Sequence, residues 1–351
     1  MDLEGKRVLV TGGTGSLGKA LVRRLLKGEM GRPKRVTVFS RDEGKHHQMK
    51  VDWKQIQVAT DDIFYRNFEE LLEFRVGDVR DYHSVLTAVR KAEVVFHAAA
   101  LKQVPSCEYF PAEAVRTNVE GAINLVRAVR ENDTPVELVV GISTDKACKP
   151  VNVMGMTKSL QERILLEANL GQDNITFTCV RYGNVISSRG SVVPLFKHQI
   201  QHGGPVTITS GEMTRFLITL DQAVDTVFDC VRFGKPGETF VPRLPSTKIS
   251  DLVEVLINGR EIPVVEIGVR PGEKLHEIMI SEEEMVRTTE RGKYYVIGSV
   301  LPEISGVYTN TPPLEAEYSS QGITLESAGL YDLLKQAGEL EFERLIVSSH
   351  H

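Results

Sequence analysis

Short apolar runs recur through the first half of the chain, and segments of helical length separate them. The interiors of these runs are continuously apolar and rich in β-branched residues, which is typical of strands buried on both faces of a parallel sheet. The pattern therefore predicts six strands, at residues 7–12, 35–40, 73–78, 93–100, 137–144 and 174–185.

The segments between these runs carry helical periodicity. The stretch SLGKALVRRLLKG ends at a glycine, and AEAVRTNVEGAINLVRAVREN places valine and alanine residues on one stripe of a helix. Because predicted strands and helices alternate, we expect an α/β fold with a doubly wound parallel sheet, that is, a Rossmann domain. This domain is predicted to cover residues 1–185.

The alternation ends near residue 185. Glycine, proline and short motifs dominate the rest of the chain, as in SSRGSVVPLF, GGPVTITSGEMTRF and GVRPGEKLHE. This change predicts a smaller domain of mixed structure over residues 186–345, mainly for substrate binding. One stretch, GETFVP at 237–242, is predicted to return to the sheet as an edge strand.

Composition and charge exclude several classes of partner. The chain has 351 residues, 41% apolar and 25% charged, with a net charge of -5 and no basic tract, so neither nucleic acid nor a membrane surface is expected to bind. No apolar run is long enough to cross a bilayer, and we expect a cytoplasmic protein. No metal site is predicted, because CxxC and zinc-type spacings are absent among Cys107, Cys148, Cys179 and Cys230.

The loop VTGGTGSLG joins the first predicted strand to the first predicted helix. Gly12 permits a tight turn, Gly15 lets a pyrophosphate approach the backbone, and Gly18 lets helix and strand pack closely. A plain turn is the alternative, but the strand–loop–helix context favours dinucleotide binding. Other predicted contacts of the cofactor are Thr14, Ser16 and Leu17 in this loop, Val79 after the third predicted strand, and Ala98 and Ala99 at the end of the fourth.

The end of the second predicted strand indicates which dinucleotide binds. Enzymes that use NAD usually place a carboxylate there, whereas this strand ends in Ser40 and Arg41, with Lys45 nearby. A hydroxyl and a guanidinium suit a 2′-phosphate, so NADP is favoured over NAD, although Asp42 lies close enough to leave NAD open. Asp78, after the third predicted strand, is expected either to accept from the adenine amino group or to cap the next helix.

The fifth predicted strand ends in STDK, with Thr144, Asp145 and Lys146. Open α/β sheets present their chemistry at the carboxyl ends of the strands. An adjacent acid and base there fit an elimination, in which one group takes a proton from carbon and the other protonates a departing hydroxyl. A salt-bridged loop pair is the alternative interpretation.

The next predicted helix carries Met154 four residues before Lys158. A large family of nicotinamide enzymes has tyrosine and lysine at this spacing, but a thioether cannot transfer a proton. Lys158 is expected to hold the nicotinamide ribose, with a solvated helix lysine as the alternative. Its charge is also expected to lower the pKa of a neighbouring acid and to help keep Lys146 neutral.

Several motifs now occur in a fixed order: TGGTGSLG, HAAALKQVP, RTNVEGAINL, STDKA, RYGNVISSRGSVVP, MTRF and RPGEKLHE. Together they resemble the UDP-N-acetylglucosamine 4,6-dehydratase group of the extended short-chain dehydrogenases/reductases, over residues 6 to 300. The methionine at position 154 resembles one branch of that group, the polysaccharide-biosynthesis branch, whose members are mostly membrane-anchored. This chain resembles their catalytic half.

The resemblance implies a lyase reaction on a UDP-sugar. The cofactor takes a hydride from sugar carbon 4 and returns it to carbon 6. Lys146 is implied as the base for the proton on carbon 5, and Asp145 as the acid for the hydroxyl that leaves carbon 6. Thr144 is implied to bind the 4-hydroxyl, whose proton is hypothesised to reach Asp145, Lys146 or a water through Thr144. The branch implies retention of configuration at carbon 5.

The resemblance also implies residues that bind the substrate and support the site. Asn118, in the middle of a predicted helix, is implied to hold a water or a backbone carbonyl near the cofactor, with a solvent-facing side chain as the alternative. Lys102 is expected to face the cofactor or the sugar. The remaining implied contacts of the UDP-sugar are Asn184, Arg189, Val192, Thr207, Thr209, Arg215, Arg270 and Glu273. Relatives in the group imply a homo-oligomer, from dimer to hexamer.

Other functions stay open at this point. A UDP-sugar 4-epimerase and a dehydratase that inverts carbon 5 have the same fold, but a simple epimerase needs no acid at carbon 6. A non-catalytic NADP-binding sensor is supported by Met154 and opposed by the intact Asp145–Lys146 pair and the motifs expected to bind a diphosphate.

Overall fold

A nine-stranded sheet forms the centre of the computed structural model, among the residues that it describes. The described residues are 1–55, 62–172, 174–186, 188, 190–306, 312–322 and 324–340. The strands of this sheet are β1 (Arg7–Thr11), β2 (Arg35–Ser40), β3 (Leu72–Val76), β4 (Val94–His97), β5 (Leu138–Ile142), β6 (Thr176–Val180), β10 (Thr239–Pro242), β14 (Thr288–Arg291) and β15 (Tyr294–Ile297). Their spatial order is β14-β15-β10-β6-β5-β4-β1-β2-β3.

The strands from β3 to β10 in this order all pair in parallel. Strands β2 and β3 follow on one side of β1, and the chain then crosses to the other side of β1 to add β4, β5 and β6. The predicted α/β fold with a doubly wound parallel sheet is thus confirmed. The expectation of an edge strand at 237–242 is wrong in one respect. Strand β10 does return beside β6, but β15 pairs with its other side in antiparallel register, so β10 lies inside the sheet.

Some helices pack on the two faces of the sheet, and others lie beyond it. The fourteen helices of the described residues follow in chain order. They are α1 (Ser16–Leu26), α2 (Glu43–Gln55), α3 (Asp62–Leu71), α4 (Tyr82–Val89), α5 (Val104–Tyr109), α6 (Pro111–Ala114), α7 (Gly121–Arg130), α8 (Val153–Glu167), α9 (Val192–Gln201), α10 (Leu220–Phe233), α11 (Ile249–Ile257), α12 (Glu282–Met285), α13 (Pro302–Ser305) and α14 (Ser327–Gln336). A π-helical turn at Val115–Glu120 precedes α7, and a 3-10 turn at Asp145–Ala147 follows β5. Among the described residues, no helix has the length and apolar character that a membrane span requires.

Alternation along β1 explains the two layers of core. Val8 and Val10 pack on one face of the sheet with Leu21 of α1, whereas Leu9 packs on the other face with Leu125 of α7. Because successive side chains of a strand point to opposite faces, a strand between two helical layers must be apolar at every position. This requirement produces the continuous apolar runs in the sequence.

A third apolar cluster lies in the second half of the chain, where α9, α11 and α14 pack together. Short strands accompany these helices: β7 (Asn184–Val185), β8 (Val206–Ile208), β9 (Thr214–Ile218), β11 (Ser246–Lys248), β12 (Val264–Glu266), β13 (Ile278–Ile280) and β16 (Tyr318–Ser319). They form one three-stranded and two two-stranded sheets among the described residues. This region lies over the carboxyl ends of the parallel strands, because its residues line the same cleft as the loops after β1, β2, β4 and β5.

Candidate active site

A cleft of about 1130 Å³ lies at the carboxyl ends of the parallel strands. Most residues predicted for the site line this cleft, although they come from distant parts of the sequence. Those that do are Gly12, Thr14, Gly15, Ser16, Leu17, Gly18, Ser40, Arg41, Lys45, Val79, Ala98, Ala99, Lys102, Thr144, Lys146, Met154, Lys158, Asn184, Val192, Thr207, Thr209, Arg215, Arg270 and Glu273.

Four predicted residues are not among the cleft lining. Asp145 and Asn118 are buried behind its wall. Asp78 lies beside it and pairs with Arg80, whose NH2 group is 2.7 Å from Asp78 Oδ2. Arg189 lies outside the described residues.

The glycine loop after β1 leaves backbone exposed at one end of the cleft. Gly12 has a φ of 67°, and a Cβ atom there would lie 2.7 Å from the backbone of Ala98 and Ala99. A Cβ atom at Gly18 would lie 2.5 Å from the Gly12 carbonyl oxygen. Gly15 is the N-cap of α1, so the first amide groups of that helix face the cleft. This cradle without side chains fits a dinucleotide pyrophosphate.

The end of β2 contains a hydrogen-bonded chain that the sequence did not reveal. Thr14 Oγ1 donates to Ser40 Oγ at 3.2 Å, and His46 Nε2 lies 2.7 Å from the same oxygen. His46 is buried, its Nδ1 atom has no hydrogen-bond partner in the described ranges, and burial lowers the pKa of its ring. If the proton of the neutral ring is on Nε2, where it has an acceptor, the Ser40 hydroxyl hydrogen is free to point into the cleft.

No carboxylate ends β2, and the nearby charges are paired. Lys45 Nζ lies 3.1 Å from Asp42 Oδ2, and Arg41 lies 3.9 Å from Asp78. Burial by itself raises the pKa of Asp78, but hydrogen bonds from Arg80 lower it below its ordinary value. The expectation that Asp78 caps the next helix is wrong, because the side chain of Asp81 accepts the first amides of α4.

The turn after β5 carries the predicted acid and base. Thr144 Oγ1 donates to Asp145 Oδ1 at 2.9 Å, and Lys146 Nζ donates to the same oxygen at 3.0 Å. Lys146 Nζ also donates to Asn184 Oδ1 at 3.3 Å. Gly155 of α8 packs directly against this turn, and only glycine fits there, because a Cβ atom would lie 2.2 Å from the Lys146 carbonyl oxygen.

A second carboxylate meets Lys146, and sequence reasoning missed it. Glu277 Oε1 lies 3.1 Å from Lys146 Nζ, and the Glu277 side chain is 2% exposed. We call Lys146, Asp145 and Glu277 the cleft cluster. One oxygen of each carboxylate, Asp145 Oδ2 and Glu277 Oε2, is buried without a hydrogen-bond partner among the described residues. Glu277 ends the RPGEKLHE motif, and this second acidic position of the motif was the available signal.

The two lysines of the site differ in their titration. Burial by itself lowers the pKa of Lys146, but the charges of Asp145 and Glu277 outweigh it and raise the pKa above its ordinary value. Burial lowers the pKa of Lys158 to about 8. The expectation of a neutral Lys146 beside a charged Lys158 is therefore wrong for the free protein, because Glu277 was not foreseen.

Helix α8 positions Met154 and Lys158 one turn apart. Asn152 caps the helix by accepting from the Gly155 amide at 2.8 Å. Met154 is buried against Cys107 and Ala114 and also lines the cleft. Lys158 Nζ donates to the Ile142 carbonyl oxygen and, at 2.8 Å, to Gln161 Oε1. Lys158 is thus not the solvated helix lysine of the alternative reading.

Asn118 lies in the π-helical turn and is fully buried, which excludes the solvent-facing alternative. Its side chain accepts from the Leu101 amide at 2.8 Å and donates to the Leu101 carbonyl at 3.0 Å. It also donates to Thr157 Oγ1 of α8 at 2.9 Å. Asn118 therefore ties the loop after β4 to α8 rather than reaching the cleft itself.

The far end of the cleft is built from β8, β9 and the 270–277 segment. Arg215 donates to the carbonyl oxygens of Lys274 at 3.0 Å and Leu275 at 3.1 Å, so it anchors that segment as well as lining the cleft. Thr207 Oγ1 accepts from Gln199 at 2.8 Å. Arg270 is exposed at the cleft and has no charged partner among the described residues.

Comparison with known proteins defines the family. Residues 8–299 match the family described as polysaccharide biosynthesis protein, and the chain belongs to it. A UDP-glucose 4-epimerase of Rickettsia typhi is 42% identical over 297 residues, which cover 83% of this chain and 82% of that protein. A protein of Methanocaldococcus jannaschii described as an uncharacterized membrane protein is 43% identical over 303 residues, covering 83% of this chain and 85% of its own.

Solved structures agree with this family. The X-ray structure of Pen from Bacillus thuringiensis is 34% identical, has a TM-score of 0.86, and covers 97% of this chain and 100% of its own. The crystal structure of DesIV, a dTDP-glucose 4,6-dehydratase of Streptomyces venezuelae with NAD bound, has a TM-score of 0.65 at 19% identity and covers 77% of this chain and 86% of its own. At that identity DesIV shows a shared fold only.

Proposed function

We propose that the protein is a UDP-N-acetylglucosamine 4,6-dehydratase, which eliminates water from the sugar and forms a UDP-4-keto-6-deoxy sugar with retained configuration at carbon 5. The observation that carries this proposal is the cleft cluster. An elimination needs one group that takes a proton from carbon and one that protonates the leaving hydroxyl. Lys146 and Asp145 offer both within 3.0 Å of each other, at the carboxyl end of a buried strand.

A nicotinamide dinucleotide fits the glycine loop, with Ser16 and Leu17 at the start of α1, Val79, Ala98, Ala99 and Lys158 along the cleft, and Asn118 as support from behind. When bound, it supplies a reversible hydride acceptor. We infer NADP rather than NAD from Ser40, Arg41 and Lys45. The structure of DesIV contains NAD. Binding titrations with NAD and NADP decide between the two dinucleotides for this chain.

The proton steps are assigned to the chain's own residues. Lys146 and Asp145 form an ion pair, and transfer of one proton along their 3.0 Å contact makes Lys146 neutral and Asp145 protonated. On the 4-keto sugar, Lys146 then takes the proton from carbon 5. Asp145 gives its proton to the hydroxyl that leaves carbon 6, so water departs. After carbon 6 has regained a hydride, Lys146 returns a proton to carbon 5, and solvent then restores the resting charge of Lys146.

The proton of the 4-hydroxyl needs a separate route, because Met154 cannot accept it. Thr144 Oγ1 lies 2.9 Å from Asp145 Oδ1. Because Asp145 already carries the proton from Lys146, we propose that Thr144 binds the substrate hydroxyl and relays its proton to a water. In this scheme Met154 packs beside the sugar and the cofactor and transfers no proton.

The UDP moiety is assigned to the far end of the cleft. Arg270 and Glu273 lie on the exposed segment there, and Arg215 contributes its charge while it holds that segment in place. Thr207 and Thr209 are proposed for the uracil, and Lys102, Asn184 and Val192 for the sugar and phosphates. Arg189 is proposed for the same region on the resemblance of its motif alone.

A UDP-sugar 4-epimerase is the second candidate, and the name of the Rickettsia typhi relative at 42% identity favours it. A dehydratase that inverts carbon 5 is a variant of the first. The test is the mass of the product formed from UDP-N-acetylglucosamine and from UDP-glucose. Loss of one water supports the dehydratase, and proton NMR of the product reports carbon 5. An unchanged mass with inverted carbon 4 supports the epimerase, and binding without turnover supports a sensor.

We also propose a homo-oligomer. Exposed apolar side chains lie on adjoining elements of the Rossmann domain, namely Ile123 of α7 and both Met156 and Leu160 of α8. A second copy of the chain is the occupant that such a face fits. Light scattering coupled to size exclusion measures the number of copies, and a monomer at micromolar concentration contradicts the proposal.

A further inference from the structure

Glu277 is a buried carboxylate with an unmet hydrogen-bonding need. Its Oε1 atom lies 3.1 Å from Lys146 Nζ and 3.8 Å from Arg215 Nε. Its Oε2 atom is buried, and no described residue forms a hydrogen bond with it. A carboxylate oxygen without a donor is costly in a protein interior, and such groups concentrate where a ligand binds or a proton moves.

The backbone around Glu277 is held firmly. The Glu277 amide donates to Ser320 Oγ at 2.9 Å, and the Ser320 amide donates to the Glu277 carbonyl at 2.8 Å. The same segment reaches the turn after β5 at a second point, where Lys274 Nζ donates to the Cys148 carbonyl at 2.7 Å. The position of the Glu277 carboxylate relative to Lys146 is therefore set by the fold and not by a flexible loop.

Lys146 Nζ has three oxygen neighbours among the described residues. It donates to Asp145 Oδ1 at 3.0 Å and to Asn184 Oδ1 at 3.3 Å, and it forms an ion pair with Glu277 Oε1 at 3.1 Å. If the proton toward Asp145 is transferred, Asn184 and the Glu277 carboxylate still lie beside the nitrogen. Without Glu277, a neutral lysine on a flexible stem has only Asn184 to hold it.

We propose that Glu277 is a positioning residue, which holds Lys146 for proton transfer and keeps it charged until substrate enters. This inference rests on the proposed function, because the proton in question is the one on carbon 5. No comparison or motif assigns Glu277 this part. It acts through Lys146, and Asp145 remains the group that exchanges a proton with it.

The charges that face Lys146 predict how it titrates. Asp145 and Glu277 face it with negative charge, whereas Arg215 and Lys274 contribute positive charge. Removal of the Glu277 charge leaves one carboxylate against two cations. The pKa of Lys146, raised in the native cluster, must then fall, so Lys146 loses its proton at lower pH.

The first test needs no turnover. Acetic anhydride labels neutral amines, and mass spectrometry follows the labelling of Lys146 against pH in the full chain without nucleotide sugar. We expect Glu277→Gln to move the midpoint for Lys146 to lower pH by ~1 unit or more. The labelling midpoint of Lys146 in Glu277→Asp is expected to lie between those of the wild type and Glu277→Gln. In Glu284→Gln, which changes another buried glutamate, the midpoint is expected to match the wild type. An unmoved midpoint in Glu277→Gln overturns the proposal, whether or not the protein is a dehydratase.

The second test separates positioning from binding and from folding. With UDP-N-acetylglucosamine, Glu277→Gln is expected to lower kcat by up to ~100-fold, because a misplaced reacting group costs about that much, with KM changed less than ~3-fold. Its alkaline limb is expected at lower pH, and Glu277→Asp is expected to recover part of kcat. A raised KM at unchanged kcat overturns the proposal. If Glu277→Gln fails to fold, wild-type kcat and labelling in a folded Glu277→Asp overturn it equally.

Discussion

Two buried clusters of charge lie near the turn after β5, and they differ in how completely their oxygens are satisfied. In one of them, which we call the closed cluster, Arg181 binds both oxygens of Glu162, at 3.0 and 2.6 Å, and both oxygens of Glu284, at 2.8 and 3.0 Å. The cleft cluster has the same composition of one cation and two carboxylates. There, however, Asp145 Oδ2 and Glu277 Oε2 have no hydrogen-bond partner within the part of the chain that the structure describes.

The difference follows from the cation and from access to the cleft. A guanidinium has five donors in a fixed fork and can fill two carboxylates, whereas an ammonium has three donors and gives up a proton more readily. Lys146 lines the cleft, and Arg181 is 4% exposed and does not. A saturated cluster can only hold elements together, while an unsaturated one beside a cleft can still bind a ligand or exchange a proton.

The largest effect is expected from Asp145→Asn. This change keeps the shape of the cleft cluster but removes its proton acceptor, so turnover of UDP-N-acetylglucosamine should fall by ~10²- to 10⁴-fold. The melting temperature should change little, because Glu277 still neutralises Lys146. Steady-state kinetics and calorimetry measure the two quantities, and near wild-type turnover would remove the chemical role from the cluster.

The second-largest effect is expected from the closed cluster. It should be a loss of stability with little change in turnover. Arg181→Met leaves the buried Glu162 carboxylate without its cation and leaves Glu284 with Arg287 at 3.4 Å, so we expect a loss of ~3–5 kcal/mol in the free energy of unfolding. The kcat per folded molecule should stay within about twofold. Arg291→Met is the matched control, because the pair of Arg291 with Glu238 is partly exposed and should cost only ~1 kcal/mol. Equal losses in both variants contradict this interpretation.

The closed cluster should also make stability depend on acid. Burial by itself raises the pKa of Glu284, but Arg181 lowers it to about 2, below the ordinary value of 4.5. The stabilisation is therefore present above pH 4.5 and is lost as pH falls toward 2, by roughly 3 kcal/mol in total. Urea unfolding across this range measures it, and Glu284→Gln should flatten the curve. If the free energy of unfolding of Glu284→Gln depends on pH as steeply as that of the wild type, Glu284 is not the group responsible.

The smallest effect is expected from Met154→Tyr. If the cleft cluster and Thr144 carry the proton steps, a new hydroxyl one turn before Lys158 is not needed, and kcat should be unchanged or lower. Met154→Leu, which keeps the apolar packing against Cys107 and Ala114, is the control. A large gain in kcat from tyrosine would mean that the natural site lacks its base.

The sequence predicted what local patterns encode. Continuous apolar runs gave the parallel strands, and the spacing of Gly12, Gly15 and Gly18 gave the loop after β1, because both follow from backbone geometry within a few residues. The Asp145–Lys146 pair was visible because its members are adjacent.

Contacts between distant segments were not predictable in this way. Glu277 lies far from Lys146 in the sequence and meets it only in the folded chain, where it reverses the expected titration of that lysine. The position of the β14–β15 hairpin beside β10 likewise depends on tertiary packing. No spacing rule within one segment encodes such contacts.

The most direct measurement is the fate of solvent hydrogen at carbon 5. The wild-type protein is incubated with UDP-N-acetylglucosamine in heavy water, and NMR and mass spectrometry analyse the product. If Lys146 of the cleft cluster takes the proton from carbon 5 while Asp145 releases water, the product lacks one water and carries one deuterium at carbon 5. A product that retains the water, or that carries no deuterium at carbon 5, would contradict the account.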